Sequence, residues 1–196
     1  MIVHCATGNP GKLREFRLAA DESGIQVETL PGLSAITPCD ETGATFEANA
    51  ILKAEYYGRH APGLLFADDS GLEVDALGGA PGVYSARFAG PDATDESNNR
   101  LLVERLRGVR DRSARFVCLI ALADGDRLVR TFRGTVEGEI LDEPRGPNGF
   151  GYDPLFYYPP FGCSFGEVAP DRKLTVSHRG AALRALFRDL ALKHGG

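Results

Sequence analysis

The sequence lacks the features that mark several large classes of protein. Its four cysteines and four histidines are widely separated and include no Cys-x-x-Cys pair, so a zinc site with closely spaced ligands is not expected. No apolar run approaches the ~20 residues of a membrane span, and the N-terminus shows no charged-then-apolar leader. We therefore expect a cytoplasmic protein with reduced thiols and no membrane partner.

The charge balance also limits the partners that the protein can bind. A net charge of -5 argues against broad nucleic-acid binding, which needs a basic face, so no nucleic-acid partner is expected. A small anion in a local basic pocket remains compatible with this charge. The 43% hydrophobic and 25% charged residues are typical of a globular protein, and the length predicts a single domain over residues 1–196.

Strand-like and helix-like segments alternate along the first part of the chain. The pattern predicts a strand over Ile2–Ala6, a helix over Lys12–Glu22 and a strand over Ile25–Leu30. Later elements are a helix at about 45–58, strands at 64–67 and 72–77, a helix from Thr94 to about Arg107, two β runs at 114–123 and 128–138, and a last helix from Ser177. Alternation followed by a hairpin favours an α/β fold with a mixed sheet.

The segment ATGNPGKL, residues 6–13, partly matches a phosphate-binding P-loop, G-x-x-x-x-G-K-[ST]. Its Gly-Lys pair fits, but Ala6 replaces the first glycine and Leu13 replaces the hydroxyl that binds magnesium. A strand, a turn and a helix start direct N–H groups toward an anion, and Thr7 and Asn9 add neutral donors. If this loop holds a polyphosphate, the metal must come from carboxylates elsewhere; an ordinary turn with an exposed lysine is the alternative.

Candidate carboxylates occur in the segment FADDSG and in an earlier loop. Asp68 and Asp69 follow an apolar strand, and adjacent side chains of an extended chain point in opposite directions. One carboxylate could face a metal while the other orients the site, although a turn rich in aspartate is the alternative. Asp40 and Glu41 supply further oxygen ligands, which suit magnesium.

Two further segments carry groups that suit recognition of a base. In GPNGFGYDP, flexible glycines surround Phe150 and Tyr152, whose rings offer flat faces for stacking; a plain hairpin-rim loop is the alternative. In SHRG, His178 and Arg179 stand at the start of the last helix, where positive charge opposes the helix dipole. A bound anion or carbonyl would offset that cost, and Lys173 is close in sequence.

Together, the segments ATGNPGK, ADDSGLEVDALGGAPGVYSARFAG, GFGYDPLF and SHRGAAL resemble the signatures of the inosine triphosphate pyrophosphatase family, also called dITP/XTP pyrophosphatases. The resemblance runs from residue 6 into the last helix. It implies an α/β fold with an elongated mixed central β-sheet flanked by helices, two lobes with an active-site cleft between them, and a homodimer. It also implies Mg²⁺-dependent hydrolysis of ITP, dITP and XTP to the nucleoside monophosphate and pyrophosphate, which removes them from the nucleotide pool.

The resemblance also implies roles for individual residues. The family's phosphate loop falls on Thr7, Gly8, Asn9, Pro10, Gly11 and Lys12. Its catalytic aspartate, which binds metal and activates water, falls on Asp69, with Ser70 contacting substrate and Glu41 or Asp40 as the acidic metal partner. Its base-binding residues fall on Phe150, Gly151, Tyr152, Asp153, Lys173, His178 and Arg179.

These residues suggest a mechanism for the expected reaction. Asp69 and either Glu41 or Asp40 hold Mg²⁺ against the triphosphate. Asp69, or Asp68 beside it, positions and deprotonates a water that attacks the α-phosphorus. Lys12 and the loop amides stabilise the departing pyrophosphate.

Two residues at the start of the last helix are expected to select the nucleotide base. Arg179 and His178 would donate hydrogen bonds to the 6-keto oxygen of hypoxanthine or xanthine, where adenine has an amino group. Ala48 stands where family members often have glutamate, and we expect the displaced Glu47 to lie at the solvated surface rather than on metal. The alternatives are a related pyrophosphatase acting on modified pyrimidine triphosphates, a non-catalytic nucleotide-binding module, and a degenerate P-loop ATPase.

Overall fold

The computed structural model of the protein describes residues 1–21 and 23–194, which contain seven strands and five α-helices. The strands are β1 (Ile2–Cys5), β2 (Gln26–Thr29), β3 (Leu65–Val74), β4 (Ser113–Asp124), β5 (Arg127–Ile140), β6 (Phe156–Tyr158) and β7 (Cys163–Ser164). The helices are α1 (Pro10–Ala20), α2 (Phe46–Gly58), α3 (Asp95–Arg105), α4 (Pro170–Val176) and α5 (His178–His194).

All seven strands belong to one sheet, in the order β2-β1-β3-β4-β5-β6-β7. β1 pairs in parallel with β2 and with β3, as expected when helices connect the strands. β6 pairs antiparallel with β5 and with β7. The predicted α/β fold with a mixed sheet is therefore confirmed.

The first of two compact units comprises Met1–Asp69, Cys118–Gly134 and the chain from His178 onward. Its core joins α1 and α5 to β1 and to the first-unit parts of β3 and β4. The buried residues of this core include Phe16, Phe66, Ile120, Leu183 and Phe187. The apolar stripe predicted for the last helix is buried here, because its residues recur at helical spacing on one face.

The second unit comprises Ser70–Val117 and Thr135–Ser177. Its core packs α3 against strand residues and against the loop that precedes β6. Aromatic rings dominate it, with Phe116, Phe156 and Phe165 in mutual contact at centroid distances of 4.5 to 6.3 Å. Leu72 and Leu102 are fully buried beside them.

The strand that carries the aspartate pair is longer than the sequence predicts. The two predicted strands at 64–67 and 72–77 are one strand, β3, and its last predicted residues, Asp75–Leu77, form a 3₁₀ turn. Asp68 and Asp69 therefore lie inside a strand, and the prediction that they follow its end is wrong. Their carboxylates accept from the side chains of Lys12 and Lys53.

The other predicted elements agree with the structure more closely. Thr94 caps α3 by accepting from the Ser97 N–H at 3.1 Å, as its position predicts. The hairpin of β4 and β5 turns at residues 125–126. The predicted end of the first helix, Glu22, lies outside the described residues, and α4 was not predicted.

Two further observations concern the expected class of protein. All four cysteines are free. Among the helices of residues 1–21 and 23–194, none combines the length and the apolar character that crossing a bilayer requires.

Candidate active site

The loop that resembles a P-loop lies between β1 and α1, and its own side chains hold it in place. Asn9 caps α1, and its Oδ1 accepts from the N–H groups of Gly11 at 2.8 Å and Lys12 at 3.1 Å. The Thr7 hydroxyl accepts from the Asn9 N–H at 3.2 Å. The helix therefore begins at Pro10, two residues earlier than predicted, because proline at the first helical position costs no hydrogen bond.

This capping changes how the loop can bind an anion. The N–H groups of Gly11 and Lys12 are engaged by Asn9 rather than directed at open space, so the expectation of free loop amides is wrong for these two. The amide of the Asn9 side chain and the positive end of α1 remain the local groups that favour an anion. Gly8 has open space where a side chain would stand, which leaves room for close approach.

Lys12 reaches from the first turn of α1 to the aspartate pair. Its Nζ lies 3.0 Å from Asp68 Oδ1 and 2.9 Å from Oδ2. The Lys12 side chain is 18% exposed, whereas that of Asp68 is 2% exposed. The ammonium thus has one buried partner and one side open to solvent.

Asp68 also faces a buried arginine. Arg179 Nε lies 3.6 Å from Asp68 Oδ2, and the same guanidinium donates to Glu15 of α1. Burial raises the pKa of Asp68, but the cations of Lys12, Arg179 and Lys53 outweigh burial and lower that pKa to about 2. Asp68 is therefore a fixed negative charge, which makes it a poor proton acceptor at neutral pH.

Asp69, the next residue of β3, has a different partner. Lys53 of α2 places its Nζ 3.0 Å from Asp69 Oδ1 and 3.1 Å from Glu41 Oε2. Burial raises the pKa of Asp69, and the attraction of Lys53 offsets this only in part. The two aspartates thus sit in environments that shift their pKa values in opposite directions, an arrangement typical of acid–base sites.

Asn49 completes the surroundings of Asp69. Its Nδ2 donates to Asp69 Oδ2 at 3.3 Å, and its Oδ1 accepts from the Gly43 N–H at 2.7 Å. A Cβ on Gly43 would lie 2.6 Å from Asn49 Oδ1, so the loop before α2 requires glycine there. Asn49 therefore ties this loop to the carboxylate.

The acidic residues Asp40, Glu41 and Glu47, in the loop before α2 and in α2 itself, have different surroundings. Both Glu41 and Asp40 are exposed residues, but Glu41 shares Lys53 with Asp69. Glu41 is therefore the acidic residue of this loop that lies next to the pair of Lys53 and Asp69. Glu47 accepts from the Thr131 hydroxyl at 2.9 Å and is exposed, which agrees with the expectation that it lies at the solvated surface.

The donor set fits a magnesium ion with few protein ligands. Across residues 1–21 and 23–194, no group of three or more His, Cys, Asp or Glu side chains is placed to hold a metal ion. Asp69 and Glu41 nevertheless converge on one cationic atom, the Nζ of Lys53, and both present oxygen. Two carboxylates suit Mg²⁺, which keeps several waters and takes other oxygens from phosphates.

His178 and Arg179 begin α5 and are each 3% exposed. Their position depends on Gly134 of β5, where a Cβ would lie 1.9 Å from the carbonyl oxygen of His178. The carboxylates of Glu15 and Asp68 offset the cost that burial and the helix dipole impose on the Arg179 cation. The expected need for a compensating anion is thus met by the protein's own carboxylates.

The residues of the loop that is expected to bind the nucleotide base lie in the second unit. Asp153 Oδ2 accepts from the Phe150 N–H at 2.9 Å and from Lys173 Nζ at 2.6 Å. Lys173 Nζ also lies 5.0 Å from the centroid of the Phe150 ring, a cation–π distance. Asp153 and Lys173 are each 2% exposed, so this ion pair forms the rigid base of the loop.

Tyr152 and Ser70, two further candidates of this unit, are both at least partly buried. Tyr152 is 5% exposed and its hydroxyl donates to the Ser85 carbonyl at 2.7 Å, so its ring packs in the core and does not offer a free face. Ser70 follows Asp69 in β3 and is half-buried. The candidate residues are divided between the two units. The first unit contains the residues of the phosphate loop together with Asp40, Glu41, Asp68, Asp69, His178 and Arg179. The second unit contains Ser70, Phe150, Gly151, Tyr152, Asp153 and Lys173.

Sequence reasoning missed three residues that contact the site. Lys53 and Asn49 lie one turn apart on α2, on the face that also buries Ala50. Polar residues on an otherwise buried helix face are the signal that could have identified them. Glu15 lies 164 residues from Arg179, and no local pattern marks it.

Comparison with known proteins identifies the family of the chain. The Ham1 family model matches residues 3–189. A dITP/XTP pyrophosphatase of an Exiguobacterium species is 52% identical, covering 94% of each chain, and one of Acidobacterium capsulatum is 49% identical, covering 97% of this chain and 98% of its own. The solved structure of the Staphylococcus aureus Ham1 protein superposes with a TM-score of 0.87 at 40% identity, covering 98% of this chain and all of its own. The chain therefore belongs to the Ham1 family.

Proposed function

We propose that this protein is a hydrolase that converts dITP, XTP and ITP to the nucleoside monophosphate and pyrophosphate. The curated relatives carry the name dITP/XTP pyrophosphatase and match nearly the whole chain at about half identity. The observation that carries the proposal is the aspartate pair of β3, in which Asp68 binds Lys12 and Asp69 binds Lys53. Such a division provides one fixed charge and one proton acceptor in adjacent positions.

The phosphate tail binds at the N-terminus of α1. Lys12 offers an ammonium with a solvent-facing side, and the positive helix end adds to its attraction. Thr7, Gly8, Asn9 and Pro10 form the turn that brings this end to the substrate. Lys12 then stabilises the negative charge of the departing pyrophosphate.

Mg²⁺ is the expected cofactor, with Asp69 and Glu41 as its protein ligands. When bound, it supplies positive charge that stabilises the triphosphate as the bond breaks. Lys53 holds these two carboxylates together and limits their repulsion. Asn49 fixes the orientation of the Asp69 carboxylate through its second oxygen.

Asp69 is the group that accepts the proton of the attacking water. Asp68 is unsuited to this role because Lys12 and Arg179 lower its pKa and so make it a weak base. Positioned carboxylates contribute about 10²- to 10⁴-fold to such reactions. The attack occurs at the α-phosphorus, which gives the monophosphate and pyrophosphate.

Base selection depends on donors and on one aromatic ring. Phe150 stacks on the purine, and Lys173 beneath it is fixed by Asp153. His178 and Arg179 donate toward the 6-keto oxygen, and adenine is excluded because its amino group cannot accept from these donors. Tyr152 and Gly151 support the loop, and Ser70 contacts the substrate beside Asp69.

Two further properties accompany this function. We propose a cytoplasmic location, because the nucleotide pool that supplies the substrates is there. We also propose a homodimer. Analytical ultracentrifugation tests the assembly, since a sedimentation coefficient of a 21.1 kDa monomer at micromolar concentration would contradict it.

Product analysis tests the proposed reaction. Phosphorus NMR of dITP incubated with the protein and Mg²⁺ should show dIMP and pyrophosphate. Turnover of dITP, ITP and XTP should exceed that of dATP and of modified pyrimidine triphosphates. Release of orthophosphate from ATP would indicate a P-loop ATPase, preference for pyrimidines would indicate the related pyrophosphatase, and binding without turnover would indicate a nucleotide-binding module.

A further inference from the structure

α3 holds the loop that carries Phe150 at the backbone of Gly151. The N–H of Gly151 donates to Asp95 Oδ2 at 2.7 Å, and the carbonyl of Gly151 accepts from Asn99 Nδ2 at 3.0 Å. Asp95 and Asn99 are four residues apart and thus lie on one face of the helix. Both polar groups of the Gly151 backbone are therefore fixed by the same turn of α3.

Gly151 needs such fixation because of its conformation. Its φ of +60° is in the left-handed region, which glycine visits freely and leaves as easily. The N–H of the preceding Phe150 is bound separately by Asp153. The position of the Phe150 ring thus depends on two anchors, the buried Asp153–Lys173 pair and the Gly151 contact with α3.

The helix is a firm support for the second anchor. Thr94 and Ser97 form a capping box at its start, and Leu102 is fully buried. Asn98, which is 4% exposed, accepts from the Ala89 N–H at 2.8 Å and donates to the Ala86 carbonyl at 3.1 Å. α3 is thereby fixed independently of the loop.

Packing alone does not hold this side of the loop. A cavity of about 710 Å³ lies between α3 and the loop, and Asp95, Asn99, Phe150 and Gly151 all contribute to its wall. A loop that borders a cavity lacks the close contacts that restrain side chains in a packed interior. The hydrogen bonds from α3 to Gly151 add restraint on this side of the loop.

We propose that Asp95 and Asn99 are positioning residues, which hold the Gly151 backbone so that the Phe150 ring is pre-ordered to receive the purine. The inference rests on the proposed function, in which Phe150 stacks on the base. Neither residue touches the phosphates in this scheme. Losing either should weaken nucleotide binding through the ring and leave the chemical step intact.

The first test compares KM with kcat. Asp95→Ala and Asn99→Ala should each raise KM for dITP about tenfold, the scale of one lost base-stacking contact, with kcat changed less than about threefold. The inhibition constant of inorganic tripolyphosphate, which has no base, should stay within about twofold. An unchanged KM, or an equal rise in the tripolyphosphate constant, would overturn the inference.

Matched variants separate positioning from a loss of helix stability. Glu96→Ala removes an equal charge from the same first turn of α3 and should leave KM unchanged. Asp95→Asn keeps an oxygen that accepts from the Gly151 N–H and should restore KM to within about twofold of the parent. If Glu96→Ala raises KM as much as Asp95→Ala does, the effect belongs to the helix and the inference is wrong.

A double-mutant cycle tests the route through the ring. In a Phe150→Ala background, adding Asn99→Ala should produce no further rise in KM, because the ring through which it acts is gone. Additive rises would overturn the inference. A parent protein that releases no pyrophosphate from dITP, XTP or ITP would instead overturn the proposed function, so the two failures are distinguishable.

Discussion

Asp68 and Asp69 are consecutive residues of β3, yet their carboxylates bind different lysines, Lys12 at 2.9 Å and Lys53 at 3.0 Å. The alternation of side chains along a strand produces this division. Lys12 lies in α1, the helix that follows the P-loop-like segment, and Lys53 lies in α2. A two-residue segment thus connects the proposed phosphate-binding end of the site to the proposed metal ligands.

Replacing Asp69 tests the proton acceptor. Asp69→Asn should lower kcat for dITP by about 10²- to 10⁴-fold, because the amide neither accepts the proton nor binds metal well. The circular dichroism spectrum should not change, since Asn49 and Lys53 remain. Pyrophosphate release measures the effect, and Asp92→Asn at the exposed surface is the control. Turnover close to that of the parent would remove Asp69 from its role.

The two acidic residues of the loop before α2 should respond differently to mutation. Glu41→Gln should raise the Mg²⁺ concentration for half-maximal activity by about 10- to 100-fold, whereas Asp40→Asn should change it less than about twofold. The reason is that only Glu41 shares a cationic partner with Asp69. Activity titrated with Mg²⁺ after treatment with a chelator measures both. The reverse order of effects would assign the metal to Asp40.

Arg179 should be needed for stability as well as for base recognition. Arg179→Met leaves the buried carboxylates of Glu15 and Asp68 without their guanidinium and should lower the free energy of unfolding by about 3–5 kcal/mol. The double variant Glu15→Gln with Arg179→Met should recover part of this loss. Urea denaturation followed by circular dichroism measures both. A double variant less stable than Arg179→Met would argue against a coupled buried pair.

The close contact between β5 and the start of α5 should not tolerate a side chain. Gly134→Ala places a Cβ 1.9 Å from the His178 carbonyl oxygen, so we expect destabilisation of about 1–3 kcal/mol from overpacking. Gly63→Ala is the matched control, because open space surrounds that position. Thermal denaturation compares the two variants. Equal melting temperatures would show that α5 shifts freely away from the strand.

Local patterns in the sequence predict much of the fold. The helical spacing of Leu183, Leu186, Phe187 and Leu190 predicts α5, and each of these side chains is buried. Thr94 marks the start of α3 by its capping chemistry. Such signals arise between residues a few positions apart, which is why a single sequence reveals them.

The aspartate pair shows where local rules fail. Asp-Asp-Ser-Gly has the composition of a turn, yet in β3 it continues a strand because Lys12 and Lys53 bind the carboxylates. The partners of Asp68 lie 56 residues away at Lys12 and in the last helix at Arg179. Tertiary contacts of this kind override local preference and leave no short-range pattern in the chain.

Local motifs predict some of the candidate site residues, and others are revealed only by the tertiary structure. Motif segments lead to Lys12, Asp69 and Arg179, whereas Lys53 and Glu15 emerge only when α2 and α1 are packed against the sheet and α5. For Tyr152, the local pattern predicts an exposed ring that the structure does not have. Its place in a glycine-rich loop suggests an open ring, but its hydroxyl finds a buried carbonyl and the ring joins the core.

The most direct test of the proposed chemistry is to hydrolyse dITP in water enriched in oxygen-18 and to locate the label by mass spectrometry. Water activated by Asp69 and directed at the α-phosphorus, with Lys12 on the leaving pyrophosphate, should place one heavy oxygen in dIMP and none in pyrophosphate. Label found in the pyrophosphate would mean attack at the β-phosphorus and would contradict the roles given to Asp69 and Lys12.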